Sequence, residues 1–167
     1  MRLVIIRHAI AVAHGTPKVP EDERPLTARG RRRFEEAARG LARVCRRPDV
    51  LLTSPLVRAR QTADIAAEAW GQVEPQEEPA LAGGSFEQVA AALDKHAREK
   101  VVAIVGHEPD VSGLLARLLG TSSTERLTFK KGGAALVDEP GRLAEGGALV
   151  WYLPPRLLRA LGRRAKG

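Results

Sequence analysis

The sequence has 167 residues, of which 44% are hydrophobic and 28% charged, an ordinary composition for one globular domain with a buried core. Its apolar runs are far shorter than the ~20 residues of a membrane-spanning helix, and the N-terminal MRLVIIRH is too short for an export signal. The single Cys45 excludes an intramolecular disulfide framework. We therefore expect a cytoplasmic protein without membrane contact. The formal net charge of +7 is typical of solvated, arginine-rich helix faces and also suits acidic substrates, while only 4% of residues are aromatic, too few to favour a nucleic-acid partner.

The chain begins with a strand pattern, followed by a loop and a helix pattern. Residues 2–6, RLVII, are a short apolar run with β-branched side chains and predict a strand. Residues 11–25 contain Gly15 and three prolines and predict a loop. Thr27 is a candidate N-cap for a helix over residues 28–46, because apolar side chains recur there at the spacing of one helix face.

A second strand and helix follow. Residues 49–54, DVLLTS, predict another buried strand. Ser54 and Pro55 match the N-cap and first position of a helix, which we expect to end near Trp70. Residues 73–76 predict a short third strand.

The next helices and strand have clear sequence signals. Ser85, with a glutamine three residues later, forms a capping box for a helix to about Ala97. Residues 100–107, KVVAIVGH, give the clearest pattern of a buried strand in the chain. Pro109 opens a further helix, and Gly120 is placed to close it.

The C-terminal part predicts antiparallel strands. Residues 126–139 favour a hairpin with its turn or bulge at Gly132 and Gly133. Residues 147–154 predict a last strand. The basic tail over residues 156–167 starts with a helix pattern, and we expect it to fray.

Alternating strands and helices, without a repeat or a linker, predict the fold class. We expect a single three-layer α/β domain over residues 1–155, with a mostly parallel central sheet flanked by helices and a C-terminal antiparallel hairpin. Ligands of such sheets bind outside the carboxyl ends of the strands. The residues that directly follow the strands are therefore the candidate site.

Those residues suit an anion. Arg7 and His8 follow the first strand, Arg58 lies in the first turns of the helix after the second, and His107 ends the fourth. Arginine side chains match phosphate oxygens, and the N-termini of the helices that follow offer backbone N–H groups. A neutral imidazole is a good nucleophile near neutral pH. The pattern thus favours phosphate chemistry.

Four motifs in order resemble those of the histidine phosphatase superfamily. They are RHA, RPLTARG, SPLVRARQTA and VGHEPD, beginning at Arg7, Arg24, Ser54 and Val105. The resemblance is closest to SixA-type phosphohistidine phosphatases and covers about residues 1–115. It implies a phosphoglycerate mutase-like fold and a phosphatase that works through a covalent phosphohistidine, with neither metal nor cofactor.

The resemblance also implies roles for single residues. His8 matches the nucleophile that takes the phosphoryl group, and Arg7 and Arg58 match phosphate ligands. His107 matches the second histidine of the pocket. Arg60 is two positions from Arg58 and is expected to face solvent on another side of the helix.

The chain departs from the family at the proton donor. Many family phosphatases carry a glutamate in the loop after the third strand, where this chain has Ala82 and Gly83 in EPALAGGSF. Glu108 and Glu78 are the candidate proton donors, and Glu87 is a further carboxylate in this region. A phosphohistidine leaving group is an imidazole that can already carry a proton, so it needs less help from an acid than an alkoxide does.

We therefore expect a phosphorylated protein substrate that carries phosphohistidine. An alternative is a phosphomonoesterase acting on a small acidic metabolite. An alternative of another class is a non-catalytic anion-binding or adaptor domain. The short chain lacks a long insertion that could close over a small substrate, which disfavours a mutase.

Overall fold

A computed structural model describes residues 1–138 and 143–163 of the chain. Its strands are β1 (Arg2–Arg7), β2 (Val50–Thr53), β3 (Pro75–Glu77), β4 (Val101–Gly106), β5 (Ala134–Asp138) and β6 (Ala148–Leu153). Its helices are α1 (Ala28–Val44), α2 (Val57–Ala69), α3 (Phe86–Asp94), α4 (Asp110–Leu118) and α5 (Pro155–Gly162). No helix within the two described ranges is both long enough and apolar enough to cross a membrane.

The strands of the described residues form one six-stranded mixed sheet in the order β3-β2-β4-β1-β5-β6. β1 pairs in parallel with β4, and β2 pairs in parallel with both β3 and β4. β5 is antiparallel to β1 and to β6. The expected mostly parallel sheet with antiparallel strands from the C-terminal region is confirmed.

Helices cover both faces of the sheet. Side chains along each strand point alternately to one face and to the other, so each strand contributes to two cores. Val4 and Ile6 of β1 belong to the core under α1, α2 and α5. Leu3 and Ile5 belong to the core under α3 and α4. All four side chains are fully buried, which confirms the three-layer α/β domain.

The predicted hairpin turn at Gly132 and Gly133 is wrong. Residues 127–133 form a loop, and the two arms of the antiparallel hairpin are β5 and β6. The physical reason is that this loop is bonded to the end of β1: the Gly132 N–H donates to the carbonyl oxygens of Arg7 and His8, at 3.1 Å each. Glu139, the last residue of the predicted hairpin, lies outside the described residues.

The predicted start of α2 is also wrong. The helix begins at Val57, and its N-cap position is Leu56, whose side chain makes no capping bond. Ser54 instead extends the pairing of β2 with β4, since its N–H donates to the carbonyl oxygen of Val105 at 3.0 Å. The Val57 N–H donates to the carbonyl oxygen of Asp22 at 3.1 Å, so it is not a free donor for an anion. By contrast, the predicted caps at Thr27 and Ser85 are confirmed.

α5 packs closely on α1 where the sequence predicted a fraying segment. Leu158 is 1% exposed. A Cβ at Gly40 would lie 1.9 Å from the Leu158 carbonyl oxygen, so only glycine allows the two helices to approach this closely. The boundary between a domain ending at residue 155 and a basic tail stays a prediction, and residues 164–167 lie outside the described residues.

The parallel strands bring their carboxyl ends level with one another at one edge of the sheet. Arg7 lies opposite Gly106 in the pairing of β1 with β4, and Thr53 lies opposite Val105 in the pairing of β2 with β4. The residue after each strand therefore emerges at the same height. Those residues are His8, Ser54 and His107.

Candidate active site

Two histidines lie side by side at this edge. His8 follows β1 and His107 follows its parallel neighbour β4. Their ring centroids are 5.1 Å apart and the rings are tilted by 51°. The residues are only 5% and 7% exposed, so both imidazoles lie in a largely desolvated site.

The backbone fixes the tautomer of His8. Its Nδ1 lies 2.7 Å from the Ala9 carbonyl oxygen. A carbonyl oxygen can only accept, so Nδ1 carries the proton and Nε2 presents the lone pair. The Ala9 N–H in turn donates to Thr62 Oγ1 at 3.0 Å, and the Thr62 hydroxyl donates to the Arg58 carbonyl oxygen at 2.7 Å. The His8 segment is thus bonded to α2.

A serine orients the second histidine. His107 Nε2 lies 2.8 Å from Ser54 Oγ, in a fully buried residue. Ser54 Oγ also accepts the Leu56 N–H at 3.3 Å. Among the described residues the Ser54 hydroxyl has no acceptor other than Nε2, so we assign its proton to that bond. The His107 proton then sits on Nδ1, a buried atom without a hydrogen-bond partner in the described part of the chain.

Burial and nearby positive charge keep both rings neutral at pH 7. Burial lowers the pKa of His8 to about 3, and His107, Arg58 and Arg7 add to this shift. Burial likewise lowers the pKa of His107 to about 4, with further contributions from Arg58, Arg24 and Arg7. A desolvated site disfavours the protonated form of a histidine, and neighbouring cations disfavour it again. His8 therefore retains its lone pair at neutral pH.

The carboxylate of Glu108 positions Arg7 indirectly. Its Nη1 donates to the Phe129 carbonyl oxygen. The Phe129 N–H donates to Glu108 Oε1 at 2.6 Å, and the other Glu108 oxygen accepts the Ser112 hydroxyl. Burial lowers the pKa of Arg7, and the Glu108 charge opposes that shift. Glu108 thus fixes the loop over residues 127–133, whose Phe129 carbonyl oxygen holds Arg7 in place.

Arg58 and Arg24 share one carboxylate. Arg58 Nη1 donates to the Glu21 carbonyl oxygen at 2.7 Å, and its Nη2 lies 3.3 Å from Glu21 Oε1. Arg24 pairs with the same carboxylate oxygen and donates to the Val12 carbonyl oxygen at 2.6 Å. Hydrogen bonds from Arg24 and His14 lower the pKa of Glu21 to about 2. The ionised Glu21 therefore holds the two guanidinium groups together.

Unpaired donors concentrate at this site. In the described residues, the buried side-chain nitrogen and oxygen atoms without a hydrogen-bond partner are Nε of Arg7, Nε of Arg24, Nε of Arg58 and Nδ1 of His107. Folded proteins rarely leave buried polar groups unpaired, because each costs about 1–3 kcal/mol. Three of these donors belong to cations, which suits an oxyanion such as a phosphoryl group.

The candidate proton donors have other partners. Both carboxylate oxygens of Glu108 accept hydrogen bonds from Phe129 and Ser112. Glu78 Oε1 accepts the Ala80 N–H at 3.0 Å, at the start of a 3-10 turn. Glu87 is exposed in the first turn of α3. Within the described ranges, none of these three carboxylates makes a hydrogen bond or ion pair with the two histidines or the three arginines.

The structure brings together His8, His107, Arg7 and Arg58, the four residues that the resemblance implies. Arg60 lies outside this group, paired on the surface with Asp64 and with Glu77. In the two described ranges, no group of three histidine, cysteine or acidic side chains is arranged to hold a metal ion.

Sequence reasoning did not place Ser54, Arg24 or Glu21 in the site. Ser54 matched a helix-cap pattern, and its contact with His107 depends on pairing across the sheet. Arg24 begins the RPLTARG motif, and this was the available signal. Glu21 lies in the loop before it, without any distinguishing pattern.

Comparisons with known proteins agree with this geometry. Residues 3–89 match the histidine phosphatase superfamily, branch 1. An uncharacterised protein of Picosynechococcus sp. is 35% identical over 136 residues, covering 80% of this chain and 82% of that protein. The structure of the protein histidine phosphatase SixA complexed with tungstate is similar, with a TM-score of 0.81 and 26% identity, covering 95% of this chain and 99% of that one. The alpha-ribazole phosphatase from Shigella flexneri has a similar fold, with a TM-score of 0.75 and 20% identity, covering 93% of this chain and 97% of that one.

Proposed function

The chain belongs to branch 1 of the histidine phosphatase superfamily and is a phosphatase, and from this premise we propose that it removes the phosphoryl group of phosphohistidine on a partner protein through a covalent intermediate on His8. The observation that carries the proposal is the set of four unpaired buried donors beside that histidine. They suit a phosphoryl group placed next to a neutral nucleophile.

In the first step, the Nε2 lone pair of His8 attacks the phosphorus of the substrate. A bond from Nε2 to phosphorus forms while the bond from phosphorus to the substrate imidazole breaks. The departing imidazole keeps the electron pair of the broken bond, and a substrate ring that is protonated on its other nitrogen leaves as a neutral imidazole. The hydrogen bond from His8 Nδ1 to the Ala9 carbonyl oxygen stabilises the positive charge that develops on the attacking ring.

In the second step, water attacks the phosphoryl group on His8. The bond from phosphorus to Nε2 breaks and its electron pair returns to the ring. Inorganic phosphate leaves with the oxygen of the water, and the proton of the water passes to phosphate or solvent. The ring is again neutral, since burial holds the pKa of His8 at about 3.

Charge in the transferring phosphoryl group spreads over its equatorial oxygens. The three guanidinium groups of Arg7, Arg24 and Arg58 and the Nδ1 proton of His107 supply fixed donors for that charge. Removal of one preorganised donor of this kind typically costs about 10²–10³ in kcat. We propose Arg7, Arg58 and His107 as phosphate ligands, with Arg24 as a further one.

The preference for phosphohistidine rests on the missing acid. Glu108 and Glu78 have their own hydrogen-bond partners, and Ala82 and Gly83 follow in the loop after β3. An alkoxide leaving group needs a proton donor, whereas the imidazole of phosphohistidine can take up a proton on its other ring nitrogen before it leaves and so needs less help from an acid. The similarity to the protein histidine phosphatase SixA supports the same substrate class.

A comparison of substrates tests the proposal. We would measure kcat/KM for a phosphohistidine protein, an aryl phosphate and an alkyl phosphate, with His8→Ala as the inactive variant and His96→Ala as its matched control. We expect turnover in the order phosphohistidine, aryl, alkyl, and loss of all three only in His8→Ala. Efficient alkyl phosphate hydrolysis would instead favour a metabolite phosphomonoesterase. Tight oxyanion binding without any turnover would indicate an adaptor domain.

A further inference from the structure

A group of cationic side chains lies beside the active site, where α1, α5 and the loop over residues 127–133 meet. Lys131, Arg33 and Arg159, which we call the basic strip, line one shallow cleft together with Phe34 and Pro155. The cleft has a volume of about 20 Å³, room for one water-sized group. The cleft is therefore too small to hold a separate small-molecule ligand.

The strip is continuous with the active-site cations. Ala9 and Ile10, the residues after the nucleophile, line the same cleft. The Gly132 N–H donates to the carbonyl oxygens of Arg7 and His8, which fixes Lys131 at the edge of the site. Burial lowers the pKa of Lys131, and the nearby positive charges of the active-site arginines lower it further. Positive potential thus extends from the phosphoryl site to α5.

The cations of the strip lack ion pairs in the described part of the chain. Across residues 1–138 and 143–163, no carboxylate forms an ion pair with Lys131, Arg33 or Arg159. Arg33, Arg163 and Arg29 all repel the charge of Arg159, although Glu36 partly offsets them. Like charges held near one another oppose folding, and a bound acidic partner would relieve the repulsion.

The start of α1 shows the same pattern. Its first turn contains no acidic residue, although acidic side chains are favoured there by the helix dipole. Arg29 and Arg31 occupy that turn instead, and both are exposed. Arg29, one turn before Arg33, also repels the charge of Arg159, so the start of α1 adds to the positive charge of the strip.

Resting on the proposed function, we propose that the basic strip binds an acidic segment of the phosphoprotein substrate, a few residues from its phosphohistidine. Such a segment would run from the phosphoryl site past Ala9 and Ile10 onto Arg33 and Arg159. A nucleic acid fits less well, because the aromatic ring at the cleft, Phe34, is 2% exposed and offers no face for a base to stack on. An acidic protein surface needs only the charges.

The test uses two phosphohistidine peptides, one with acidic and one with neutral flanking residues, and a small phosphoramidate. The double variant Arg33→Gln/Arg159→Gln is compared with Arg39→Gln/Arg98→Gln, which removes the same charge from exposed sites elsewhere. For the acidic peptide we expect KM to rise roughly fivefold in the strip variant with kcat unchanged. KM for the other two substrates should not change, and the difference should vanish at about 0.5 M salt.

Charge-preserving Arg33→Lys/Arg159→Lys separates docking from folding, and we expect it to keep the wild-type KM. Equal KM values for acidic and neutral peptides in wild type, or equal losses in the control variant, would overturn the strip as a docking surface. A single-stranded RNA oligonucleotide serves as a further probe, and loss of its binding in the strip variant without a change in KM for the acidic peptide would do the same. If no phosphohistidine substrate turns over while an alkyl phosphate does, the proposed function is wrong, and the docking role of the strip, which rests on it, is wrong as well.

Discussion

Replacement of Ser54 by alanine should lower kcat/KM about tenfold to a hundredfold while the chain stays folded. Ser54 Oγ lies 2.8 Å from His107 Nε2, and the residue is fully buried. Its loss leaves the ring nitrogen and the Leu56 N–H without their partner. A buried group left unpaired costs about 1–3 kcal/mol, and about 1.4 kcal/mol corresponds to a factor of ten in rate.

The mechanism of the loss is specific. The Ser54 hydroxyl keeps the His107 proton on Nδ1, where it can meet a phosphoryl oxygen. Without that hydroxyl, the ring can place its proton on Nε2 and present a lone pair to the anion instead. Tungstate affinity should therefore fall in parallel with kcat/KM, because the same donor serves both anions.

The assay measures kcat/KM on a phosphohistidine peptide, tungstate affinity by calorimetry, and the free energy of unfolding. Thr53→Val is the matched control, since Thr53 is equally buried but its hydroxyl donates to the Ser54 carbonyl oxygen and not to an imidazole. In a His107→Ala background, Ser54→Ala should add little further loss. Full activity in Ser54→Ala, or an undiminished loss in the His107→Ala background, would refute this account of the histidine.

Three further results are expected. Arg58→Ala should reduce kcat/KM about a hundredfold or more, whereas Arg60→Ala should change it little, since Arg60 is paired on the surface. Equal losses of kcat/KM in the two variants would mean that the site is misassigned. The pKa values of His8 and His107, about 3 and about 4, lie below the usual 6.5 because both rings are buried. Both rings should therefore stay neutral at about pH 5 by NMR titration, and the fold should lose stability as the pH falls from 6.5 towards 4; midpoints near 6.5 would contradict the burial argument. Gly40→Ala should cost about 1–3 kcal/mol or more of unfolding free energy, because the new Cβ would displace Leu158. Gly113→Ala, with no atom within 4 Å of the new Cβ, should be neutral or slightly stabilising; the reverse order in urea denaturation would show that α5 does not pack as described.

Much of the fold could be predicted because its signals are local. Apolar runs such as residues 100–107 and caps such as Thr27 depend on neighbours along the chain, and the structure has β4 and α1 there. Parallel strands then place their carboxyl ends at one edge, which brings His8 and His107 together although they lie far apart in the sequence. Period and topology therefore suffice for this part of the site.

The remaining features depend on contacts between distant segments. Ser54-Pro55 is a good helix start by local pattern, yet pairing with β4 keeps Ser54 extended and directs its hydroxyl to His107. Gly132-Gly133 is a good hairpin turn by local pattern, yet bonds to the end of β1 make it part of a loop. The role of Glu21 in joining Arg24 to Arg58 appears only when the loop before α1 meets α2.

The most direct test of the central claim is the position of the phosphoryl group in the trapped enzyme. The enzyme is mixed with a phosphohistidine substrate, quenched in base within the first turnover, and examined by ³¹P NMR and by peptide mass spectrometry. Because His8 Nδ1 donates to the Ala9 carbonyl oxygen, the phosphoryl group should lie on Nε2 of His8, be labile to acid and be absent from His8→Ala. Phosphate on Nδ1 of His8, on another residue, or on no residue during rapid turnover would contradict the account.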